Sequence, residues 1–145
     1  MTKPVSLCLP IYQGATFDEQ LERTTYPYAV REEFGQIVRA DTGIPAPDSD
    51  ATPEDYTGCS ARMQLRPEID SDVVIDERST ANGGIVLDGA KLSIRWSALE
   101  TSAMVYGEQP SGWTRAIGQV EVTRPGGQVE RQYEIAFTLH QEGTR

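Results

Sequence analysis

The side chains that most often carry out catalysis or bind metals are few in this chain, and their spacing defines no site. The 145 residues include one histidine, His140, and two cysteines, Cys8 and Cys59. A zinc site needs three or four such ligands, and a catalytic triad needs a nucleophile and an orienting acid beside the histidine. Neighbouring acids such as Glu32 and Glu33 arise by chance among 22 acidic residues, and no two stand out as the facing carboxylates of a glycosidase. We therefore predict no catalytic, cofactor-binding or metal-binding residue, and expect that the protein is not an enzyme.

The two cysteines fall on different predicted strands. In a reducing compartment the simplest expectation is that Cys8 and Cys59 are free, small, buried residues. The alternative is a disulfide, either within the chain or as a cross-link to a neighbouring subunit. The distance between the two residues decides between these, and the sequence does not give it.

An acidic, proline-rich segment spans residues 41–53 and has no strand pattern. Its prolines hold the backbone extended, and its Asp and Ser residues favour turns, so we expect an exposed loop. A calcium site is the sharper alternative, but the acids do not follow the regular spacing of an EF-hand loop. We therefore predict a solvated loop, which would be a docking loop if the chain is an assembly module. Its candidate docking residues are Asp41, Pro45, Pro47, Asp48, Asp50 and Pro53.

Four aromatic residues could form an exposed platform for a sugar or a protein: Tyr26, Tyr28, Tyr106 and Trp113. Aromatic side chains more often serve core or hairpin packing. Large exposed apolar surfaces, in contrast, mark interaction sites. The sequence leaves both interpretations open.

The charge of the chain restricts its partners. Thirteen Lys and Arg against 22 Asp and Glu give a formal net charge of −9. Affinity for nucleic acids comes from basic patches that release counterions, so this balance disfavours nucleic-acid binding. The first ten residues lack the apolar core of a signal peptide, and no run approaches the roughly 18 apolar residues of a membrane helix. We expect a protein with no membrane partner, made and kept in the cytoplasm until it joins an assembly.

Short strands are the elements that must position all these residues. A chain of 145 residues typically forms one domain with one core. Apolar and polar residues alternate in several short runs between turn signals, which is the pattern of half-buried strands. The predicted strands are residues 5–12, 16–25, 35–40, 59–66, 73–77, 85–87, 92–96, 113–123 and 128–141, with a short helix as the alternative for 16–25. Such a series fits a β-sandwich or a barrel.

Two local patterns predict specific contacts. Ser97 and Glu100 have the spacing of a capping box, which should begin a short helix over residues 98–104 that crosses from one sheet to the other. Residues 125–127, Pro-Gly-Gly, separate two alternating runs and predict a hairpin. In its second strand the predicted inward row is Val129, Tyr133, Ile135, Phe137 and Leu139. Glu130 and Gln132 are predicted to face away from the core.

Five motifs occur in an order and spacing that resemble a known family. They are QGATF (13–17), TGCSARMQLR (57–66), NGGIVL (82–87), SALETSA (97–103) and GQVER (127–131). Together they resemble small virion proteins of tailed bacteriophages, and in particular the immunoglobulin-like N-terminal domain of baseplate upper proteins. The resemblance covers roughly residues 13–139. It departs at residues 26–53, which are longer than the family's connection, and at Cys59, where an aromatic residue is common.

The resemblance implies both a fold and a role. The fold would be all-β, an immunoglobulin-like antiparallel β-sandwich with one short crossing helix. Residues 1–145 would form a single domain with an extended loop insertion at about 41–53. The role would be a non-enzymatic structural component of the virion, a docking module of the neck or collar, the tail or the baseplate.

Further expectations concern partners and location. Other virion proteins would be the partners, a homo-oligomeric ring the assembled form, and the virion the final location after synthesis in the host cytoplasm. A capsid decoration protein is one alternative. A carbohydrate- or receptor-binding β-sandwich, with aromatic side chains stacked on sugars, is the other.

Overall fold

Two β-sheets make up most of the computed structural model, which describes residues 4–108 and 112–143. The strands are β1 Val5–Tyr12, β2 Phe17–Glu22, β3 Thr24–Thr25, β4 Val30–Glu33, β5 Gln36–Arg39, β6 Thr52–Pro53, β7 Ser60–Arg66, β8 Asp76–Ser79, β9 Ile85–Asp88, β10 Lys91–Trp96, β11 Arg115–Thr123 and β12 Val129–His140. One α-helix, α1 Ala98–Ser102, follows β10, and a 3₁₀ turn spans Asp48–Asp50. The alternating pattern predicts a β-sandwich or a barrel, and the structure confirms an all-β sandwich.

The larger sheet has the strand order β1-β12-β11-β7-β8, and the smaller sheet has the order β2-β10-β9. Most neighbouring strands are antiparallel, but the edge strand β1 lies parallel to β12. The edge position of β1 agrees with its prolines, because proline cannot donate to a strand ladder. The larger sheet is therefore mixed rather than purely antiparallel.

The core lies between the inner faces of the two sheets. Phe17 and Trp96 from the smaller sheet meet Phe137 of the larger one in edge-to-face contacts, with ring centroids 5.4–6.1 Å apart. Rings at this separation attract one another beyond the gain from burying their area. The aromatic trio therefore joins the two sheets.

The capping box is present as predicted. The Glu100 N–H donates to Ser97 Oγ at 3.1 Å, and the Ser97 N–H donates to Glu100 Oε1 at 3.0 Å. The helix ends at Ser102, earlier than predicted. The strand predicted over residues 73–77 begins only at Asp76, and Val73 and Val74 remain largely exposed. Residues 17–22 form a strand rather than the alternative helix.

The predicted inward row of β12 is wrong at its first residues. The pairing between β11 and β12 shifts between Val120 and Glu121, so that Gln132 has no partner across the ladder. Such a β-bulge adds one residue and changes which side chains face inward. Val129 is therefore exposed and Gln132 is fully buried. Gln132 thereby joins a buried group of polar residues.

Candidate functional site

Residues 24–53 form an arm that leaves the sandwich after β2 and returns to it before β7. At its base, β3 pairs antiparallel with β6, with Thr25 opposite Thr52. Beyond the base, β4 and β5 form a two-stranded hairpin. The segment 41–53, predicted as an extended loop, is the returning half of this arm and contains a 3₁₀ turn and β6.

The arm has a small interior of its own. Val38 is only 4% exposed, although it does not belong to the main core between the sheets. Its backbone pairs with that of Pro45, and the Ala46 N–H donates to the Ile37 carbonyl at 2.9 Å. Residues 44–46 therefore run beside β5 as part of the arm's folded structure.

Polar contacts within the arm use several of the predicted docking residues. The Tyr28 hydroxyl donates to Asp50 Oδ2 at 2.7 Å, and the Arg39 guanidinium lies 4.2 Å from the centre of the Tyr28 ring. Arg39 also forms an ion pair with Asp41 at 3.1 Å, which holds the pKa of Asp41 below its usual value. The hydrogen bond to Asp50 raises the pKa of Tyr28. These acids therefore help to hold the shape of the arm.

The remaining predicted docking residues are exposed. Pro45, Pro47, Asp48 and Pro53 all lie on the arm surface. Pro47 has extended backbone angles and precedes the 3₁₀ turn, while Pro53 belongs to β6. Within the described ranges, no group of three or more His, Cys, Asp or Glu side chains is arranged to hold a metal ion.

The tip of the arm exposes an aromatic residue that the sequence prediction missed. Phe34 is 98% exposed, and both Phe34 (φ 50°) and Gly35 (φ 77°) have left-handed backbone conformations. Two consecutive residues of this kind define a two-residue type I′ hairpin turn, for which Asn-Gly is the usual choice. The sequence signal for this turn was Gly35, because glycine readily adopts a positive φ, but phenylalanine is not a usual residue in the position before it.

A group of polar residues, three of them buried and two half-buried, holds the base of the arm to the sandwich. We call it the anchor cluster: the buried Glu54, Tyr56 and Gln132 and the half-buried Arg124 and Glu130. Arg124 donates to both carboxylate oxygens of Glu54, at 2.7 and 3.0 Å, and to Glu130 at 2.8 Å. Tyr56 donates to Gln132 Oε1 at 2.7 Å. Glu54 directly follows β6, so the cluster fixes the end of the arm.

Electrostatics in the anchor cluster follow from these contacts. The two carboxylates raise the pKa of Arg124, and Arg124 in turn lowers the pKa of Glu130. Burial raises the pKa of Tyr56, which therefore stays a neutral donor. Arg124 thus gives both acids a hydrogen-bonded cationic partner, and removing one member of such a desolvated group costs far more than the intact group contributes to stability.

The two cysteines are free in the structure. Cys8 is exposed on β1, contrary to the expectation of burial, and Cys59 is half-buried with its sulfur 3.8 Å from Arg124 Nη1. β12 and β11 separate β1 from β7, which alone sets the two strands roughly 14 Å apart. Cys8 is also level with Arg66, at the opposite end of β7 from Cys59, so the two cysteines are too far apart for a disulfide within the chain. A cross-link between subunits stays a prediction.

The other residues singled out for chemistry lie apart from the arm's tip. His140 is exposed and stacks on Tyr12, with ring centroids 4.8 Å apart. Trp113 is buried in the core, and only its backbone pairs with Tyr106. Tyr26 and Tyr28 form a separate tilted pair on the arm, 6.0 Å apart. The four aromatics therefore do not present one shared platform.

Within the described residues, the structure contains no helix long and apolar enough to cross a membrane. Comparison with protein-family models gives no match for this chain, and comparison with curated proteins gives none either. Fold and site together define an all-β sandwich that carries a folded, protruding arm.

Proposed function

We propose that this chain is a non-enzymatic structural component of a tailed-bacteriophage particle, a docking module of its neck or collar, tail or baseplate that assembles through protein–protein contacts. The motif resemblance supports the phage assignment and the immunoglobulin-like form of the sandwich. The single observation that supports docking most directly is the fully exposed Phe34 at the tip of the arm.

Phe34 does not contribute to the folding of the chain. A bulky residue in a left-handed conformation costs about 1–3 kcal/mol, and Asn or Gly would adopt the same turn at less cost. Its ring is 98% exposed and so gains nothing from burial within this chain. A residue that costs stability and contacts nothing is best explained by a partner that buries it, and aromatic residues are enriched among those that dominate binding energy.

The arm is suited to docking because its shape is set before a partner arrives. Tyr28, Arg39 and Asp50 hold the hairpin to the returning segment, and Glu54 holds the base to the sandwich. Binding by a preorganised element avoids much of the entropy that a disordered segment would lose.

The test is an arm replacement in the phage. Because Thr25 and Thr52 lie opposite each other at the base, residues 26–51 can be replaced by Asn-Gly, which closes a two-residue turn. The proposal predicts that the shortened chain folds but is lost from particles, and that Phe34→Asn reduces incorporation with the arm intact. Normal incorporation of both variants would overturn the role of the arm.

Copy number relative to the major capsid protein, from quantitative mass spectrometry of purified particles, tests the location. A ring-scale copy number supports the neck, tail or baseplate, while a lattice-scale number would mean capsid decoration. Complete absence from particles would overturn the phage assignment. Sugar binding gains no specific support, because Trp113 is buried and Arg39 covers one face of Tyr28.

A further inference from the structure

The outer face of the larger sheet carries a small groove between β7 and β11, on the side away from the core. Its volume is about 210 Å³, and its lining includes Arg62, Arg66, Ile69 and Ile117, with Glu121 as its acidic residue. Ile69 is largely exposed and Ile117 partly so. Pockets for drug-sized ligands measure about 300–1,000 Å³, so a groove of this size suits a single large side chain.

Arg66 gives this groove a fixed positive charge. Its guanidinium donates to the Ser71 carbonyl and to Gln64 Oε1, each at 2.6 Å. Among the described residues it has no carboxylate partner, whereas Arg62 lies 3.8 Å from Glu77. An arginine held in place by neutral groups keeps donors for an incoming carboxylate, and arginine binds carboxylates well.

The tip of the arm has the complementary chemistry. Glu32 and Glu33 directly precede Phe34 in the sequence. Glu33 forms an ion pair with Arg31 at 3.0 Å, while Glu32 has no ion-pair partner in the described part of the chain. The tip therefore offers one aromatic ring and one uncompensated carboxylate, and the groove offers apolar isoleucines and one uncompensated arginine.

We infer that the arm of one copy docks into the β7–β11 groove of a second copy of this chain, with Phe34 against Ile69 and Ile117 and Glu32 on Arg66. The inference rests on the docking role proposed above and names the partner. Donor and acceptor are different surfaces, so the contact is heterologous and repeats from copy to copy, closing a ring or extending a chain. The apolar contact supplies affinity, and the charge pair fixes the register.

Two other candidates for the receiving site are less suitable. A groove of about 410 Å³ near α1 has Val74 and Met104 in its lining, but its charged lining residues are Asp76 and Glu100, so its lining offers no cation to an acidic tip. The free edge of β1 is interrupted by Pro10, which has no N–H to offer to another strand. Among these three candidates, the charge of the lining therefore favours the β7–β11 groove.

The first measurement is sedimentation velocity of the purified full chain over a concentration series. The wild type should self-associate, and Phe34→Asn and Arg66→Glu should each weaken association by about tenfold or more, since aromatic and arginine residues dominate interfaces. Ile69→Ser is a second acceptor variant, in case Arg66→Glu disturbs the loop at Ser71. Leu99→Gln is the matched control, because Leu99 is 82% exposed but lies on neither surface, and it should leave association unchanged.

Mixing the variants is the decisive step. Phe34→Asn keeps its groove and Arg66→Glu keeps its arm, so a mixture can form one intact contact and no more. The mixture should therefore give 1:1 dimers that do not grow, although neither variant associates alone. Glu32→Arg combined with Arg66→Glu should restore association that each change weakens alone.

Three outcomes overturn the inference. A wild-type chain that stays monomeric at all concentrations removes the second copy as partner. Loss of association on Val74→Glu but not on Arg66→Glu moves the receiving site to the groove near α1. Failure of the mixed variants to dimerise excludes a heterologous contact. If the wild type is monomeric but Phe34 is still required for incorporation into particles, the docking function stands and its partner is a different virion protein.

Discussion

Replacing Arg124 by methionine should destabilise the protein by about 3 kcal/mol, because it leaves a buried carboxylate without its cation. The Glu54 side chain is only 6% exposed and receives two hydrogen bonds from Arg124. After the substitution its oxygens would keep only the Asp55 N–H at 3.1 Å and the Gln132 amide at 3.5 Å.

The magnitude follows from how well water can replace the lost partner. Breaking a buried ion pair by removing one member typically costs 3–5 kcal/mol. Arg124 is itself 23% exposed, so water can enter the space that its guanidinium leaves and reach part of the Glu54 carboxylate. We therefore expect the lower end of the range.

A double-mutant cycle isolates the interaction. Glu54→Leu with Arg124→Met removes both charges, and replacing a buried pair by apolar residues is often close to neutral. The double variant should therefore be more stable than Arg124→Met alone by about 1 kcal/mol or more. Arg131→Met is the matched control, because Arg131 is exposed on the same strand hairpin and such surface changes usually stay within about 0.5 kcal/mol.

Urea unfolding followed by tryptophan fluorescence measures these changes, since Trp96 and Trp113 are both buried and report on the core. A loss below about 1 kcal/mol for Arg124→Met, in the range of an exposed ion pair, would refute the reasoning that the cluster is desolvated. Strict additivity of the two substitutions would refute the coupling.

Three further predictions concern stability. Ser97→Ala removes the capping hydroxyl and should cost about 1 kcal/mol in urea unfolding. Gly118→Ala should cost about 1–3 kcal/mol, since an added Cβ would lie 2.5 Å from Met63 Sδ, whereas Gly126→Ala, with open space around it, should be nearly neutral. The pKa of Glu130 is held below its ordinary 4.5. The contribution of its ionised form to the free energy of unfolding is therefore complete above about pH 4.5, and it is lost as the pH falls through the lower pKa of the folded state. Glu130→Gln should flatten this acid-induced loss of stability, measured by urea unfolding at a series of pH values.

The elements that local sequence specifies were predictable. Alternation along β1 and β7, the proline-glycine turn before β12 and the capping box at Ser97 each depend on residues within one short segment. Period-2 burial and capping act over such distances, and they gave the correct strands and the helix start. The start of β8 was predicted at residue 73 rather than at Asp76. Val73 and Val74 have strand-forming side chains, but both are exposed and no sheet covers them.

The anchor cluster was not predictable from local pattern. Arg124 and Glu54 are 70 residues apart in the chain, and Tyr56 and Gln132 are 76 apart. The bulge that turns Gln132 inward depends on how β12 pairs with β11, and a single inserted residue changes the facing of every residue beyond it. Alternation alone therefore assigned Val129 to the core and Gln132 to the other face.

Two of the places where local rules failed, Gln132 and Phe34, have different physical explanations, and the difference bears on function. Gln132 breaks the alternation of β12, but its buried amide accepts a hydrogen bond from Tyr56 and donates one to Glu130. Its inward position is therefore explained by contacts that stabilise the fold. Phe34 stands where a type I′ turn prefers asparagine. Its ring is exposed, so burial within this chain does not offset the strain of the left-handed backbone. Exceptions without compensation concentrate at functional sites. The arm's tip, rather than the buried polar group at its base, is therefore where a partner should be sought.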